Sequence, residues 1–136
     1  MARTNANLNQ TRLNLVHADA FAYLRQMNAN DRRFDVVVLD PPKFASSRLG
    51  VDDALRKYHD LNTLAMGTVR PGGILLTCSC TGLVSEEAFI RVIHGAAARS
   101  RRSVQMFDRT SAGPDHPVMF NCPESAYLKA LWVRLL

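Results

Sequence analysis

The sequence has few cysteines and no long hydrophobic run, and both shortages limit what the protein can be. Its three cysteines include no Cys-x-x-Cys pair, and no histidine stands at a metal-ligand spacing, so we expect no metal site. Three cysteines are also too few for a disulfide scaffold, which favours a reducing, cytoplasmic location. No apolar run approaches the roughly 20 residues that cross a bilayer, and the first residues lack the apolar segment of a signal peptide. We therefore expect no membrane partner.

Acidic residues are in the minority. The 136-residue chain carries 17 Lys and Arg against 12 Asp and Glu, which gives a net charge of +5, and only three of the basic residues are lysine. Because arginine suits bidentate contacts with phosphate and stacking on bases, a nucleic-acid partner is one interpretation. A coding bias toward arginine would give the same excess, so charge alone leaves both open. The content of 47% hydrophobic and 21% charged residues is ordinary for one globular domain.

Strand and helix patterns alternate along the chain. The continuous run at 34–39, which is rich in β-branched residues, predicts a strand buried on both faces. This strand must stop at Asp40, because two prolines follow it. Helical spacing of apolar residues predicts helices at 20–27 and 52–69, and Ser85 with two following glutamates predicts the start of a third, ending near residue 98. Further strands are predicted at 13–18, 74–80, 104–107 and 127–136, with a turn at 71–73 and a polar loop at 108–125.

This order of elements predicts an α/β fold, in which a parallel sheet has helices on both faces. Ligands of such sheets bind at the carboxyl ends of the strands. Asp19, the residues 40–44 and the residues 79–82 all fall at predicted strand ends. The polar loop should return to the same edge, which would bring His116 near them.

The Asp-Pro-Pro loop (residues 40–44) is the most specific local feature. It consists of Asp40, Pro41, Pro42, Lys43 and Phe44. The two prolines fix φ at about −65°, so polar backbone groups would point into the cleft with little freedom to lose, and an aromatic ring follows for stacking. Such a loop can hold a planar base. The alternative is a rigid turn whose aspartate is satisfied locally.

Three other side chains each allow two interpretations. Asp19 either binds the edge of an adenine or caps the helix that begins at Ala20. Cys80, at a strand end, is either a nucleophile or a small buried residue. His116 either binds substrate and transfers protons or hydrogen-bonds to the aspartate before it. We expect Cys78 to be the structural thiol and to point away from Cys80, toward a helix-covered face.

Residues 34–44 and the Ser-Cys-Thr-Gly-Leu run at 79–83 together resemble a known family. The chain is similar to the carboxyl-terminal part of a class I S-adenosylmethionine-dependent methyltransferase. It most resembles the bacterial 23S ribosomal RNA 5-methylcytosine methyltransferases of the large-subunit methyltransferase I type. The similarity extends nearly end to end and includes residues 58–62, 115–118 and 127–129. It implies a Rossmann-like sheet, mostly parallel, with an antiparallel last strand.

The resemblance also implies a cofactor and a substrate. The cofactor would be S-adenosyl-L-methionine, and the partner would be RNA, specifically 23S ribosomal RNA. In that family the residues that match Asp19 and Ala20 hold the adenine of the cofactor. The residues that match Asp40, Pro41 and Pro42 form the loop between the cofactor and the target base.

The resemblance further implies a nucleophile. Cys80 matches the thiol that attacks C6 of cytosine, so that C5 becomes electron-rich and takes the methyl group, after which loss of the C5 proton expels the thiol. Pro41, Pro42, Lys43, Phe44 and His116 would contact the substrate, and Asp40 would contact the cofactor. The target base must be unpaired or flipped out to be reached.

The chain departs from the family pattern in three respects. It has no glycine-rich loop after the first strand of the methyltransferase sheet, no acidic residue at the end of the second strand, and no amino-terminal RNA-binding domain. Residues 1–136 are therefore expected to form a partial catalytic domain. Lys43 stands where many other cytosine-C5 methyltransferases have a second cysteine, so the base that removes the C5 proton is unassigned.

Two other functions stay open. One is a methyltransferase that acts on guanine or on an exocyclic amino group, a reaction that needs no thiol nucleophile. The other is a nucleic-acid-binding module without catalytic activity. The sequence predicts neither the target nucleotide nor the oligomeric state.

Overall fold

Four strands form one mixed sheet in the computed structural model, which describes all residues 1–136. The elements are α1 (Ala2–Leu8), α2 (Ala20–Ala29), β1 (Phe34–Leu39), α3 (Val51–Thr68), β2 (Val69–Ser79), α4 (Glu86–Ser100), β3 (Val104–Thr110) and β4 (Lys129–Leu135). The strand order is β1-β2-β4-β3. Strand β2 is parallel to β1, whereas β4 is antiparallel to both β2 and β3. Three strands share one direction and only the last is reversed, which confirms the predicted sheet.

The sequence explains where the helices begin. Asp19 caps α2 by accepting a hydrogen bond from the Ala22 amide at 2.9 Å, and Ser85 caps α4 by accepting one from the Ala88 amide at 3.1 Å. All three predicted helices are present, with ends that differ from the prediction by one or two residues. None of the helices combines the length and the hydropathy that a membrane-spanning helix needs.

The hydrophobic core lies on one face of the sheet. Side chains of β1, β2 and β4 pack there against α2, α3 and α4, and the largest fully buried members are Tyr58, Leu61, Met66, Leu75, Phe89, Leu131 and Leu135. On the opposite face Val36 and Val38 are 53% and 62% exposed. The predictions of a β1 strand buried on both faces and of helices on both faces are therefore wrong, because these three helices share one side.

The strand predicted at residues 13–18 is also absent. This segment has no regular structure, and Leu13, Leu15 and Val16 are exposed. Strand β1 forms one edge of the sheet, and no segment pairs with its outer side. Alternating hydrophobicity does not make a strand unless its backbone groups find a hydrogen-bonded neighbour, so this prediction failed.

Strand β2 starts earlier than predicted and includes the segment that we expected to form a turn. The pairing register with β1 shifts between Phe34 and Val36, because residues 71–73 bulge out of β2. Gly72 sits in this bulge with φ at 78°, a conformation that favours glycine. After the bulge, residues 74–77 are in continuous register with β1 and residues 74–79 with β4, and this part of β2 leads to Cys80.

Candidate active site

The Asp-Pro-Pro loop lies between two cavities at the carboxyl ends of β1 and β2. The first, which we call the edge cavity, measures about 490 Å³ and is lined by residues 18–21 and 38–42 together with Phe44 and Leu61. The second, the thiol cavity, measures about 700 Å³ and is lined by Lys43, Ser46, Cys80, Gly82, Leu83, Pro123, Glu124, Ala126 and Tyr127. The loop thus brings the predicted cofactor residues to one side and the predicted nucleophile to the other.

The edge cavity offers hydrogen-bonding groups at the start of α2. One carboxylate oxygen of Asp19 accepts the capping bond from Ala22, and the other oxygen makes no hydrogen bond within the chain. The amides of Ala20 and Phe21 have no acceptor within the chain, as is usual in the first turn of a helix. The capping interpretation of Asp19 is therefore confirmed. The second carboxylate oxygen of Asp19 and the amides of Ala20 and Phe21 remain available to a ligand in the cavity.

Cys80 lies just beyond the end of β2, where its thiol is half-buried. Its Sγ is 3.8 Å from the carbonyl oxygen of Pro41, to which it donates a weak hydrogen bond. Because Pro41 lines the edge cavity and Cys80 lines the thiol cavity, this contact places the sulfur against the wall between the two.

Buried hydrogen bonds fix the backbone on both sides of this contact. The Phe44 amide donates to Oγ1 of Thr81 at 3.2 Å, and the same oxygen is 2.8 Å from the hydroxyl of Tyr58. The ring of Phe44 packs edge-on against Tyr58 with the centroids 4.8 Å apart. Phe44 therefore anchors the Asp-Pro-Pro loop to the core, in addition to lining the edge cavity.

Two residues that contact Thr81 were not predicted from the sequence, namely Tyr58 and Lys129. Tyr58 carries the hydroxyl that reaches Thr81, and Lys129 donates from Nζ to the carbonyl oxygens of Thr81 and Val84 at 2.8 and 2.7 Å. Both lie in segments that carried the family resemblance, but we assigned them no role. A lysine near the start of a mostly apolar strand was the available signal, since buried lysines need hydrogen-bonding partners.

Cys78 is buried, and burial raises the pKa of its thiol to about 11, with the negative charges of Asp40 and Cys80 acting in the same direction. It is therefore a structural thiol at neutral pH. Its ladder partner is Ala130, and neither residue belongs to the core cluster that packs against the helices. The expectation that Cys78 points toward a helix-covered face is therefore wrong, and the argument from strand alternation fails as well, because side chains two apart along a strand lie on the same face.

The polar loop reaches the site only at its end. Pro123, Glu124, Ala126 and Tyr127 line the thiol cavity. His116 lines neither cavity, and its side chain is 66% exposed. The imidazole Nδ1 of His116 is 3.1 Å from the carboxylate of Asp115. This is the hydrogen bond to the preceding aspartate that the sequence analysis gave as one of two interpretations. No group of three or more His, Cys, Asp or Glu side chains is arranged to hold a metal ion.

Comparison with known sequences gives close relatives. The chain is 45% identical over 129 residues to the Ribosomal RNA large subunit methyltransferase I of Shewanella frigidimarina, and 41% identical over 138 residues to the protein of the same name from Pseudoalteromonas atlantica. These matches cover 95% and 99% of the chain. By sequence, the chain is a homologue of one segment of these methyltransferases. It spans 32% and 35% of their length, about a third. No protein-family model matches it.

Solved structures share the fold of the chain. A methyltransferase crystallised with S-adenosylhomocysteine superposes with a TM-score of 0.80 at 19% identity, covering 98% of this chain and 35% of that protein. A methyltransferase homologue from Pyrococcus horikoshii superposes with a TM-score of 0.69 at 18% identity, covering 98% of this chain and 48% of its own. The predicted similarity to the large-subunit methyltransferase I type is confirmed, and the sheet is that of part of a methyltransferase domain.

Proposed function

We propose that this chain is the catalytic segment of an S-adenosylmethionine-dependent methyltransferase that modifies C5 of a cytosine in 23S ribosomal RNA. The names of the relatives support a ribosomal RNA substrate of the large subunit. One observation of the structure carries the cytosine-C5 assignment: the Cys80 thiol lies against the wall between the two cavities. A thiol in that place can attack a base in one cavity while the methyl donor occupies the other.

The edge cavity suits the adenine end of the cofactor. An adenine edge carries an amino donor beside a ring-nitrogen acceptor, which matches the free carboxylate oxygen of Asp19 and the free amide of Ala20. Asp40, Pro41 and Pro42 form the opposite wall and separate the cofactor from the base. S-Adenosylmethionine, when bound, supplies the methyl group.

Cys80 acts as the nucleophile in this proposal. Its thiolate adds to C6 of the cytosine, so an Sγ–C6 bond forms and the electron pair of the C5–C6 double bond moves to C5. C5 then accepts the methyl group. Removal of the C5 proton by a base re-forms the double bond and expels Sγ as thiolate, so Cys80 is regenerated.

In this proposal Lys43 and His116 contact the RNA, and Phe44 supports the loop. Lys43 lines the thiol cavity and adds positive charge there, which suits contact with the RNA backbone. Phe44 keeps the loop in place through its contacts with Tyr58 and Thr81. His116 lies on the exposed polar loop, where it would contact RNA outside the two cavities.

Turnover by a Cys80→Ala variant tests this function. Because the chain spans a third of its relatives, the assay uses a chimera in which this chain replaces the matching segment of the Shewanella frigidimarina methyltransferase. We expect Cys80→Ala to lower methylation of 23S ribosomal RNA by more than about a thousandfold, since no other group can form the covalent intermediate.

Cys78→Ala and Cys122→Ala are the matched controls, because one removes the buried thiol and the other an exposed thiol. Both should keep activity within a few-fold of the parent chimera. If the Cys80→Ala chimera methylates RNA at a comparable rate, the thiol mechanism is wrong, and a guanine or amino-group methyltransferase becomes the better interpretation of the Asp-Pro-Pro loop.

A further inference from the structure

Glu124 is the only acidic residue that lines the thiol cavity, and Lys43 is the only basic one. The rest of the wall consists of Cys80 and of uncharged residues. At about 700 Å³ the cavity is large enough for a flipped-out base, since ligand sites in proteins usually measure about 300–1,000 Å³. The mechanism described above gives a role to Cys80 and to Lys43 but none to this carboxylate.

The carboxylate of Glu124 is free to bind a ligand. Of the three glutamates in the chain, Glu86 and Glu87 are each paired with an arginine, whereas no basic side chain lies within ion-pair distance of Glu124. Its Oε2 accepts one weak hydrogen bond, from the Cys122 thiol at 3.6 Å, and its Oε1 has no hydrogen-bond partner within the chain. The side chain is exposed, so replacing it should not disturb the fold.

The backbone that carries Glu124 is held in place by its neighbours. Glu124 lies in the short 3-10 turn Pro123–Ser125, at the end of the polar loop. The Ser125 hydroxyl donates to the carbonyl oxygen of Cys122 at 2.7 Å and accepts from the amide of Met119 at 2.9 Å. The Ser125 amide also donates to the Cys122 carbonyl, at 3.0 Å. This turn therefore presents the carboxylate from a defined position.

The same segment is joined to the chain around the thiol. Tyr127 follows the 3-10 turn, and a Cβ atom on Gly82 would lie 3.7 Å from the Cβ of Tyr127, which is ordinary van der Waals contact. The first residue of β4, Lys129, then pairs with Ser79, the residue before Cys80. Strand pairing thus brings the end of the polar loop and the end of β2 to the same cavity.

Cytosine and uracil differ at a position that a carboxylate can distinguish. C4 of cytosine carries an amino group, which donates hydrogen bonds, whereas C4 of uracil carries an oxygen, which only accepts them. An ionised carboxylate only accepts, so it binds the amino group and repels the oxygen. The thiol of Cys80 cannot make this distinction, because both bases have the C5–C6 double bond to which it would add. A cavity that contains this thiol therefore needs a second group that selects cytosine.

We propose that Glu124 is the specificity-determining residue of the thiol cavity: its carboxylate accepts a hydrogen bond from the 4-amino group of the target cytosine and excludes uracil. This inference deepens the proposed function and rests on it, because it needs a pyrimidine in the thiol cavity. It names a residue that the proposed mechanism does not require for bond formation.

The test compares two RNA substrates of the chimera. One contains the cytosine that the parent chimera methylates, located by mass spectrometry of the product, and the other contains uracil at that position. We expect Glu124→Gln to reduce the preference for cytosine, measured as the ratio of the two kcat/KM values, by about a hundredfold. The reason is that a glutamine amide can turn either to accept from the amino group or to donate to the oxygen of uracil.

Glu87→Gln is the matched control, because Glu87 is an exposed glutamate of α4 that lines neither cavity. It should leave the ratio as in the parent chimera. A ratio that is unchanged in Glu124→Gln would overturn the proposal. A loss of both reactions alike would also overturn it, because a merely structural role of Glu124 gives that result.

Failure of this inference is distinguishable from failure of the proposed function. If the ratio falls in Glu124→Gln but the Cys80→Ala chimera still methylates RNA, base selection by Glu124 holds and the nucleophile assignment fails. If Cys80 is essential but the ratio does not depend on Glu124, only the role of Glu124 is refuted.

Discussion

The two cavities beside the Asp-Pro-Pro loop differ in how firmly their walls are held. The thiol cavity lies next to a network in which Thr81 is bound by Phe44, Tyr58 and Lys129. The edge cavity adjoins β1, an edge strand that has no partner on its outer side. The exposed Val38 is part of the wall of this cavity. A single loop thus separates a site fixed by buried hydrogen bonds from a site at an open edge.

The difference shows which part of the chemistry this chain organises by itself. Catalytic groups need to be held closely in place, and the turn that follows the proposed nucleophile, Cys80, is held by contacts within the chain. The groups that we propose for adenine, Asp19 and Ala20, also line the edge cavity, but that cavity is bounded by the open edge of the sheet. The predictions that follow test this contrast from its strongest consequence to its weakest.

The largest expected effect concerns affinity for the cofactor. In the proposed site Asp19 binds the adenine, and Asp40 is the only other acidic residue that lines the edge cavity, so few groups are left for the ribose hydroxyls. We expect the 136-residue chain to bind S-adenosylmethionine more weakly than about 0.1 mM, since each tenfold loss needs only about 1.4 kcal/mol. Calorimetry measures this, with the chimera as a control for tight binding. Micromolar affinity for the chain alone would contradict this expectation, because it would show that the edge cavity binds the whole cofactor without groups from outside the chain.

A smaller effect is expected on the side of the thiol. Tyr58→Phe removes the fully buried hydroxyl that bonds to Thr81 and should lower the free energy of unfolding by about 1 kcal/mol. Urea denaturation measures the change. Tyr23→Phe is the matched control, because the Tyr23 hydroxyl makes no hydrogen bond within the chain, and it should have little effect. Equal stability of the two variants would mean that the network contributes nothing to the turn.

These contrasts also show what the sequence could reveal. Strand β1, strand β2, the three long helices and the place of Cys80 followed from periodicity, capping residues and the end-of-strand rule. The missing strand at residues 13–18 and the uncovered Val36 and Val38 did not, because pairing and burial depend on neighbours outside the local pattern.

The site was predicted in the same partial way. Asp40 and Cys80 were expected at the carboxyl ends of strands, where the structure places them, and Asp19 lines the edge cavity although its predicted strand is absent. Pro41, Pro42 and Phe44 were expected at the substrate, but they line the edge cavity together with Asp19 and Asp40. The support from Lys129 was not predicted, because it depends on β4 inserting between β2 and β3. No local pattern indicates which strand a distant lysine will lie beside.

The consequence that bears least on this contrast concerns pH. Burial raises the pKa of Cys78 from 9.0 to about 11, so between these values the unfolded chain has lost the thiol proton while the folded chain keeps it. The folded state binds more protons there, and its stability therefore decreases as pH rises from 9 to 11.

Cys78→Ala should reduce this alkaline loss of stability, whereas Cys122→Ala, at an exposed thiol, should leave it as in the parent. Urea unfolding at the two ends of the interval gives the comparison. The same loss in the parent and in Cys78→Ala would show that Cys78 ionises as readily in the folded chain as in the unfolded one.

The nucleophile assignment is tested most directly by locating a covalent RNA adduct. Ribosomal RNA that contains 5-fluorocytosine allows addition and methyl transfer, but its fluorine cannot leave as a proton does, so the enzyme stays bonded to C6. With the chimera and S-adenosylmethionine, we expect mass spectrometry to place this adduct on Cys80, and Cys80→Ala to abolish it. An adduct on Cys122, or methylation of normal RNA without any trapped adduct, would contradict the central role of the Cys80 thiol.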